Sequence, residues 1–312
     1  MPLTTASAVT LSYAVGYPIG ALAVAAMTPM HALVLRFSLA ATILAGWTLL
    51  AKAPWPKGAQ LGHVLVAGLL IQAVQFCCLY EALQLGSPAV LCAVAIAMNP
   101  VATALLGAMF LRDSLGPQRV AALVLGVVAV FAACAKRLMS THGIDPVIVL
   151  LIVALLGISA GGVYQQRFCT GVDFRAMSAL QNGVALIPAA ALAILTPFTV
   201  HDPAKAAIAI GAMVLLNATL AVSLYVRAIN SHGAAAVAML FAIIPAVAAM
   251  LSWLMLGQRP DVGVAIGLVL GGLACWLNTR AAGRKRAVRA SGEPQVAPVD
   301  GELMCGVGEG TR

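Results

Sequence analysis

Apolar residues follow one another along this chain in long runs, broken by short polar connections. Ten runs approach the roughly 20 residues that a helix needs to cross a bilayer. They cover residues 6–27, 31–50, 61–83, 88–111, 118–135, 146–165, 176–197, 206–228, 233–256 and 262–279. Turn-forming residues mark the connections, with Pro54 and Pro56 in one and the stretch 196–203 in another. The pattern predicts an all-α integral membrane protein with ten transmembrane helices. The first run lacks the basic flank of a signal peptide and is long enough to span, so it reads as a retained helix. Residues 282–312 carry no apolar period and are expected to form a disordered cytoplasmic tail.

Composition narrows the class further. Apolar residues make up 62% of the 312 and charged ones only 9%, with a mean hydropathy of +1.00. A soluble domain carries about 25% charged residues, so lipid is the expected partner and solvent. The net charge of +8 is not a nucleic-acid footprint, because the basic residues are scattered singly between apolar runs. The exception is Arg284, Lys285, Arg286 and Arg289, which suit a cytoplasmic flank beside anionic headgroups. The seven cysteines form no CxxC or Cys/His metal spacing. No cofactor or metal is expected. The chain has no phosphate loop or ATP-binding module, so any work it does draws on a gradient or on exchange, with a proton as one coupling option.

Basic residues also give an orientation. With the N-terminus inside, cytoplasmic segments hold Lys52, Lys57, Arg112, Arg119, Arg167, Arg175 and Arg227, joined by Arg280 and the tail cluster. Outer loops hold Lys136, Arg137, Lys205 and Arg259. The positive-inside rule then puts both termini in the cytoplasm. Arginine outnumbers lysine, which accords with a GC-rich bacterial genome and a bacterial inner membrane. The sequence leaves the oligomeric state open and is compatible with a monomer.

Shifted by 145 residues, the sequence meets itself. Gly16 falls on Gly161, Leu35 on Leu180, Tyr80 on Tyr225, Pro100 on Pro245 and Leu111 on Leu256. The tetrapeptide LVLG at 123–126 recurs at 268–271. Each half holds five runs, an odd number, so the second copy must enter the membrane the opposite way. The expected domains are 1–140 and 141–281, two inverted five-helix repeats, with the tail 282–312 after them. Inverted repeats are the architecture of many secondary transporters, with the solute site near the midplane between halves.

Local patterns sharpen this into a resemblance. Arg36-Phe37 lies in the second run, and Tyr80-Glu81-Ala82 closes the third. Asn99-Pro100 and Ile244-Pro245 sit in the fourth and ninth, and GVYQQRF at 162–168 ends the sixth. In this order the residues resemble the drug/metabolite transporter superfamily, in its EamA-type branch of two five-helix repeats. The resemblance covers residues 6–280 and implies a transporter of metabolites, amino acids or drugs. Two positions depart from it. Where such repeats usually place Glu after the Pro-containing helix, this chain has Asp113 and Gln258.

Polar groups in hydrocarbon are expensive and mark candidate sites. Tyr80, Asn99, Tyr164, Gln181, Tyr225, Gln75, Asn182 and Asn217 are the candidate lining of one central cavity; helix–helix glue is the competing role. Amides and phenols with few fixed charges suit a small amphipathic or zwitterionic solute. Pro100 and Pro245 each remove a mid-span backbone donor and are candidate hinges. Arg36 and Glu81 lie at comparable depth near the outer face and are a candidate ion pair and outer gate, with separate snorkelling as the alternative. Gly157–Gly161 matches the GxSxG pattern, yet that motif needs a strand–turn–helix elbow and here it falls inside an apolar run. The expected function is secondary active export of small metabolites, amino acids or drug-like solutes by alternating access. The alternative is a membrane-embedded enzyme, an intramembrane hydrolase or lipid-modifying enzyme.

Overall fold

The computed structural model describes residues 3–111, 117–140, 145–221, 224, 240 and 243–291. In lipid each backbone polar group must be satisfied within its own segment, which leaves the helix as the solution for apolar runs of this length. The described elements are helices accordingly, apart from one isolated antiparallel bridge between Met27 and Val200. Six helical stretches are long and apolar enough to cross a membrane: Ala6–Ala26, Pro29–Leu50, Ala59–Gln84, Ala89–Gly107, Pro146–Phe168 and Phe174–Ile194. Four shorter apolar stretches, Val120–Ala135, Pro203–Asn217, Ile244–Leu256 and Val262–Asn278, fall in the remaining runs.

In chain order the elements are α1 (Leu3–Ala14), α2 (Gly16–Ala26), α3 (Pro29–Leu50) and α4 (Ala59–Gly68). A π-helical segment π1 (Leu69–Val74) leads into α5 (Gln75–Gln84). Next come α6 (Ala89–Ala97), α7 (Asn99–Leu111), α8 (Pro117–Ser140), α9 (Pro146–Phe168) and α10 (Phe174–Ile194). The second half continues with α11 (Pro203–Ala212), π2 (Met213–Ala221), α12 (Ile244–Leu256) and α13 (Val262–Ser291).

The starts of these helices arise from short-range chemistry. Asp145, Asp173, Asp202 and Asp261 each accept a first-turn backbone N–H, from Val147, Arg175, Lys205 and Val264 respectively. Pro29, Pro146 and Pro203 occupy first-turn positions, where no N–H is needed. The last helix runs through Ser291, ten residues into the segment expected to be disordered. Its extension is rich in Ala, Arg and Lys, which favour helix, and its cations suit a helix C-terminus.

Boundaries repeat at the offset read from sequence. Helices α3, α7 and α8 begin at 29, 99 and 117, and α10, α12 and α13 at 174, 244 and 262, each 145 later. Helices α7 and α12 also end in register, at Leu111 and Leu256. Segment π1 shifted by 145 becomes 214–219, inside π2. The chain is therefore built as two repeats.

Packing divides the bundle surface. Ile187, Ile194, Ile208, Val262 and Val269 are each more than two thirds exposed, an apolar periphery that only lipid would cover cheaply. The buried core draws on both repeats, from Ile19, Leu33, Phe37, Leu79 and Tyr80 to Ala185, Ala189, Ile210 and Met213. Helices α8 and α13 lie backbone to backbone. A Cβ on Gly263 or Gly267 would stand 2.5 or 2.8 Å from the carbonyl oxygens of Ala132 or Ala129.

Candidate functional site

The polar candidates occupy three levels of the bundle rather than one cavity. The uppermost lies toward the end bearing the Met27–Pro29 and Thr196–Pro203 connections, which is outward in the expected orientation. There Tyr80 is buried on α5 and its hydroxyl donates to Met213 Sδ at 2.6 Å, joining the first repeat to the start of π2. Gly20 of α2 faces the same hydroxyl, which lies 3.4 Å from where its Cβ would be. The Phe76 ring stands edge-on to Tyr80 at 6.3 Å and to Phe37 at 6.2 Å.

Arg36 completes this level. Its guanidinium lies 3.6 Å from the Phe76 ring centroid, and the residue is only 4% exposed. Nε and Nη1 are buried with no hydrogen-bond partner. The expected Arg36–Glu81 ion pair is not formed; the described ion pairs are Arg175–Asp173 and Lys205–Asp202. Nor does Arg36 snorkel, since it is buried. Burying a cation in hydrocarbon costs roughly 2.5–3.5 kcal/mol on insertion scales, and stacking on an aromatic face returns about 0.5–2.

The middle level is a helix break. Helix α6 stops at Ala97 and α7 starts at Asn99, with Pro100 in its first turn. Pro100 thus sits at a discontinuity rather than in a smooth kink. Helix α13 binds both sides of it: Cys275 Sγ donates to Ala97 O, at the end of α6, at 3.3 Å, and Asn278 Nδ2 adds a donor to Pro100 O of α7 at 3.1 Å. Asn99 Oδ1 accepts from Thr103 Oγ1 at 3.0 Å and from Ser159 Oγ at 2.9 Å, so it ties α7 to α9. Ser159, the serine of the GxSxG match, is fully buried mid-helix with its hydroxyl given to an amide, the wrong setting for a nucleophile. Pro245 likewise lies in the first turn of α12, next to Ile244.

The lower level joins α4, α9 and α10. Gln181 Nε2 donates to Gln165 Oε1 at 2.7 Å. Tyr164 leaves this pair and hydrogen-bonds His63 Nδ1 at 2.8 Å, while the His63 ring stacks on Phe168 at 4.8 Å. His63 and Tyr80 are 17 residues apart on one span, which separates Tyr164 from Tyr80 by about 25 Å at 1.5 Å per residue. Asn182 Nδ2 donates back to Ser178 O at 2.8 Å, leaving its Oδ1 buried without a partner. Gln75 is buried at the start of α5, where its backbone N–H donates to Gln72 O of π1. Tyr225 and Asp113 lie outside the described residues. Gln258, at the outer end, enters no described ion pair; its Oε1 accepts from Ala89 N at 3.1 Å and caps α6 from the other repeat.

A pairing that sequence reading left unjoined emerges at the repeat-related π segments. Asn217 of π2 was a cavity candidate, and Gln72 of π1 stands 145 residues before it; the amide oxygen of each is buried without a partner. Gly161 of α9 packs on π1, where a Cβ would meet Ile71 Cγ1 and Leu70 Cβ. Its repeat mate Gly16 packs on π2 against the Asn217 side chain. Each glycine faces the π segment of the opposite repeat. The 145-residue shift could have exposed the Gln72–Asn217 pair, since 72 and 217 map together, and Arg36–Gln181 likewise.

The chain is similar to known proteins over nearly its whole length. The family model described as EamA-like transporter family matches residues 2–134 and 145–280. No curated protein matches the chain at a significant level. A solved structure titled only "Crystal structure of protein" aligns with a TM-score of 0.61 at 17% identity, over 91% of this chain and 99% of that one. At that identity the likeness is one of fold.

Proposed function

Because the chain belongs to the EamA-like transporter family, we propose that it is a secondary transporter that moves small solutes across the cytoplasmic membrane by alternating access. It works as an exporter of metabolites, amino acids or drug-like molecules, driven by a gradient or by exchange. The two halves insert in opposite senses, with both termini in the cytoplasm and ten spans in all.

One observation carries the reading. The two repeats place irregular helix at equivalent positions, π1 and π2, and each is packed against a glycine of the other half. π segments hold a wider ladder than α-helix and can convert to it by shifting one register of hydrogen bonds. Pro100 and Pro245 each stand in the first turn of a repeat-related helix, α7 and α12, and add a second symmetric pair of candidate joints. Non-helical backbone at membrane depth is tolerated where protein or a wet cavity resatisfies it, and transporters place it at their moving parts. The hinge role of Pro100 and Pro245 belongs to this proposal, as does a central passage between the Tyr80 and Gln181 levels.

An efflux screen tests it. Cells lacking their own exporters and expressing this chain should retain less of at least one metabolite than cells without it, and less than cells expressing the Pro100→Ala/Pro245→Ala variant at equal membrane abundance. Retention equal to that of cells without the chain across a broad metabolite panel would sink the transporter reading, and retention equal to the variant's would sink the hinge. Reporter fusions after His142 and after Arg175 should land on opposite sides of the membrane; the same side would end the inverted arrangement.

A further inference from the structure

Two charged side chains are buried among the described residues, Arg36 and Asp145. Asp145 has its task, capping α9 through Val147 N. Arg36 Nε and Nη1 have no hydrogen-bond partner among the described residues, and no described carboxylate forms an ion pair with it. A cation held dry on an aromatic face, with in-plane donors unused, is poised for an acceptor that the described chain does not supply.

The repeat shows where that acceptor belongs. Arg36 plus 145 is Gln181, and Gly20 plus 145 is Gln165. In the second repeat this pair is complete, with Gln181 bonded to Gln165 at 2.7 Å. In the first repeat a cation replaces the neutral donor, and glycine replaces the residue that supplied its acceptor. The Gly20 face is bordered by the Tyr80 hydroxyl, which is close enough to Arg36 to interact electrostatically. So the position equivalent to the Gln165 amide has no side chain from α2.

A vestibule lies at the outer end, and Arg36, Phe76, Gly20 and Tyr80 lie behind its lining residues. A cavity of about 470 Å³ is lined by Ala21, Val24, Leu83, Gln84, Gln258 and Arg259, among others. Val24 and Gln84 are each one helical turn above Gly20 and Tyr80. Arg259 gives this vestibule its cation, and no acid is among the lining residues. Glu81, the nearest acid in sequence to Tyr80, is not among the lining residues.

We infer that Arg36, stacked on Phe76 and reached from the Arg259 vestibule past Gly20 and Tyr80, receives the carboxylate of a small transported solute. The guanidinium fork matches a planar, bidentate acceptor, and binding neutralises the buried charge. The solute's apolar body then lies among Phe76, Tyr80 and Ile19. This assignment rests on the transporter reading and narrows its solutes to carboxylates.

Matched acid and amide probes test it on the purified full-length protein. Phenylacetate with phenylacetamide, and hexanoate with hexanamide, differ in charge but hardly in shape. Each acid should raise the melting temperature and each amide should not. Arg36→Met should melt higher than the wild type without ligand, because an unpaired buried charge is gone. It should also lose about 10–150-fold in affinity for the acids, the range for a charge-assisted hydrogen bond. Arg36→Lys should keep part of the acid response, and Glu81→Gln all of it. Equal responses to acid and amide, an acid response retained in Arg36→Met, or a lower melting temperature for unliganded Arg36→Met would overturn the assignment. Flux in proteoliposomes separates the two proposals. Uptake of neutral or cationic probes alone keeps the transporter and removes the carboxylate site, whereas no flux of any probe removes the transporter itself.

Discussion

Asn278 holds the Pro100 break closed, and removing its amide should have a cost that the structure lets us bracket. The residue is 9% exposed and donates Nδ2–H to Pro100 O at 3.1 Å. A proline cannot donate, and the end of α6 at Ala97 leaves its last carbonyls short of helical partners. In Asn278→Leu the Pro100 carbonyl would face an apolar side chain at similar volume. The Pro100 carbonyl keeps its own ladder bond within α7, so the loss is that of one interhelical bond, which averages about 0.6 kcal/mol in membranes and reaches about 1.7. Cys275→Ala provides the internal scale, since its thiol contact with Ala97 O is long and weakly polar, and should cost less. Reversible unfolding titrated with SDS in mixed micelles reads both values. A change below about 0.3 kcal/mol for Asn278→Leu, or a larger loss for Cys275→Ala, would refute the view that α13 holds the break.

Other contacts lead to three further outcomes. Gln258→Glu should keep the bond to Ala89 N and add a negative charge at the α6 N-terminus, stabilising by about 0.3–1 kcal/mol at neutral pH, while Gln258→Leu should destabilise; equal melting for all three forms would contradict the cap. The hydrogen bond from Arg175 to Asp173 holds that carboxyl below the usual carboxylate range. Its contribution is therefore present above the unfolded pKa and is lost as pH falls through the lower folded value, so acid titration of wild type and Asp173→Asn should converge at low pH, and parallel curves would count against it. Gly16→Val and Gly161→Val should each impair flux more than membrane abundance, because either side chain would drive into the π segment of the other repeat; normal flux in both would remove the π segments from the mechanism.

Legibility in the sequence tracked the range of the forces. The apolar runs, the Asp caps, the first-turn prolines and the 145-residue repeat are one-dimensional signals. Each depends on a residue and its near neighbours, and the helices start where those signals stand. The demand that lipid makes on backbone polar groups is equally local, which is why the helical class could be read without contacts. The terminal helix ran on to Ser291 because helix propensity needs no apolar period.

Side-chain pairing was a different matter. Arg36 and Glu81 were matched by depth alone, and depth does not give the angle at which a residue leaves its helix. Segment π1 lies on the same span, before Glu81, and each added residue in a ladder turns the downstream helix by about 100°. Phe76, not Glu81, came to lie under the guanidinium. Tyr164 and Gln181 were grouped with Tyr80 as costly polar groups, but neighbouring helices had already supplied His63 and Gln165. The sequence by itself determined that these polar groups need partners, because desolvation belongs to the residue. Only the tertiary structure decided which partners they found, and that Arg36 Nε and Nη1 found none among the described residues, because that depends on the rotation and approach of helices far apart in sequence.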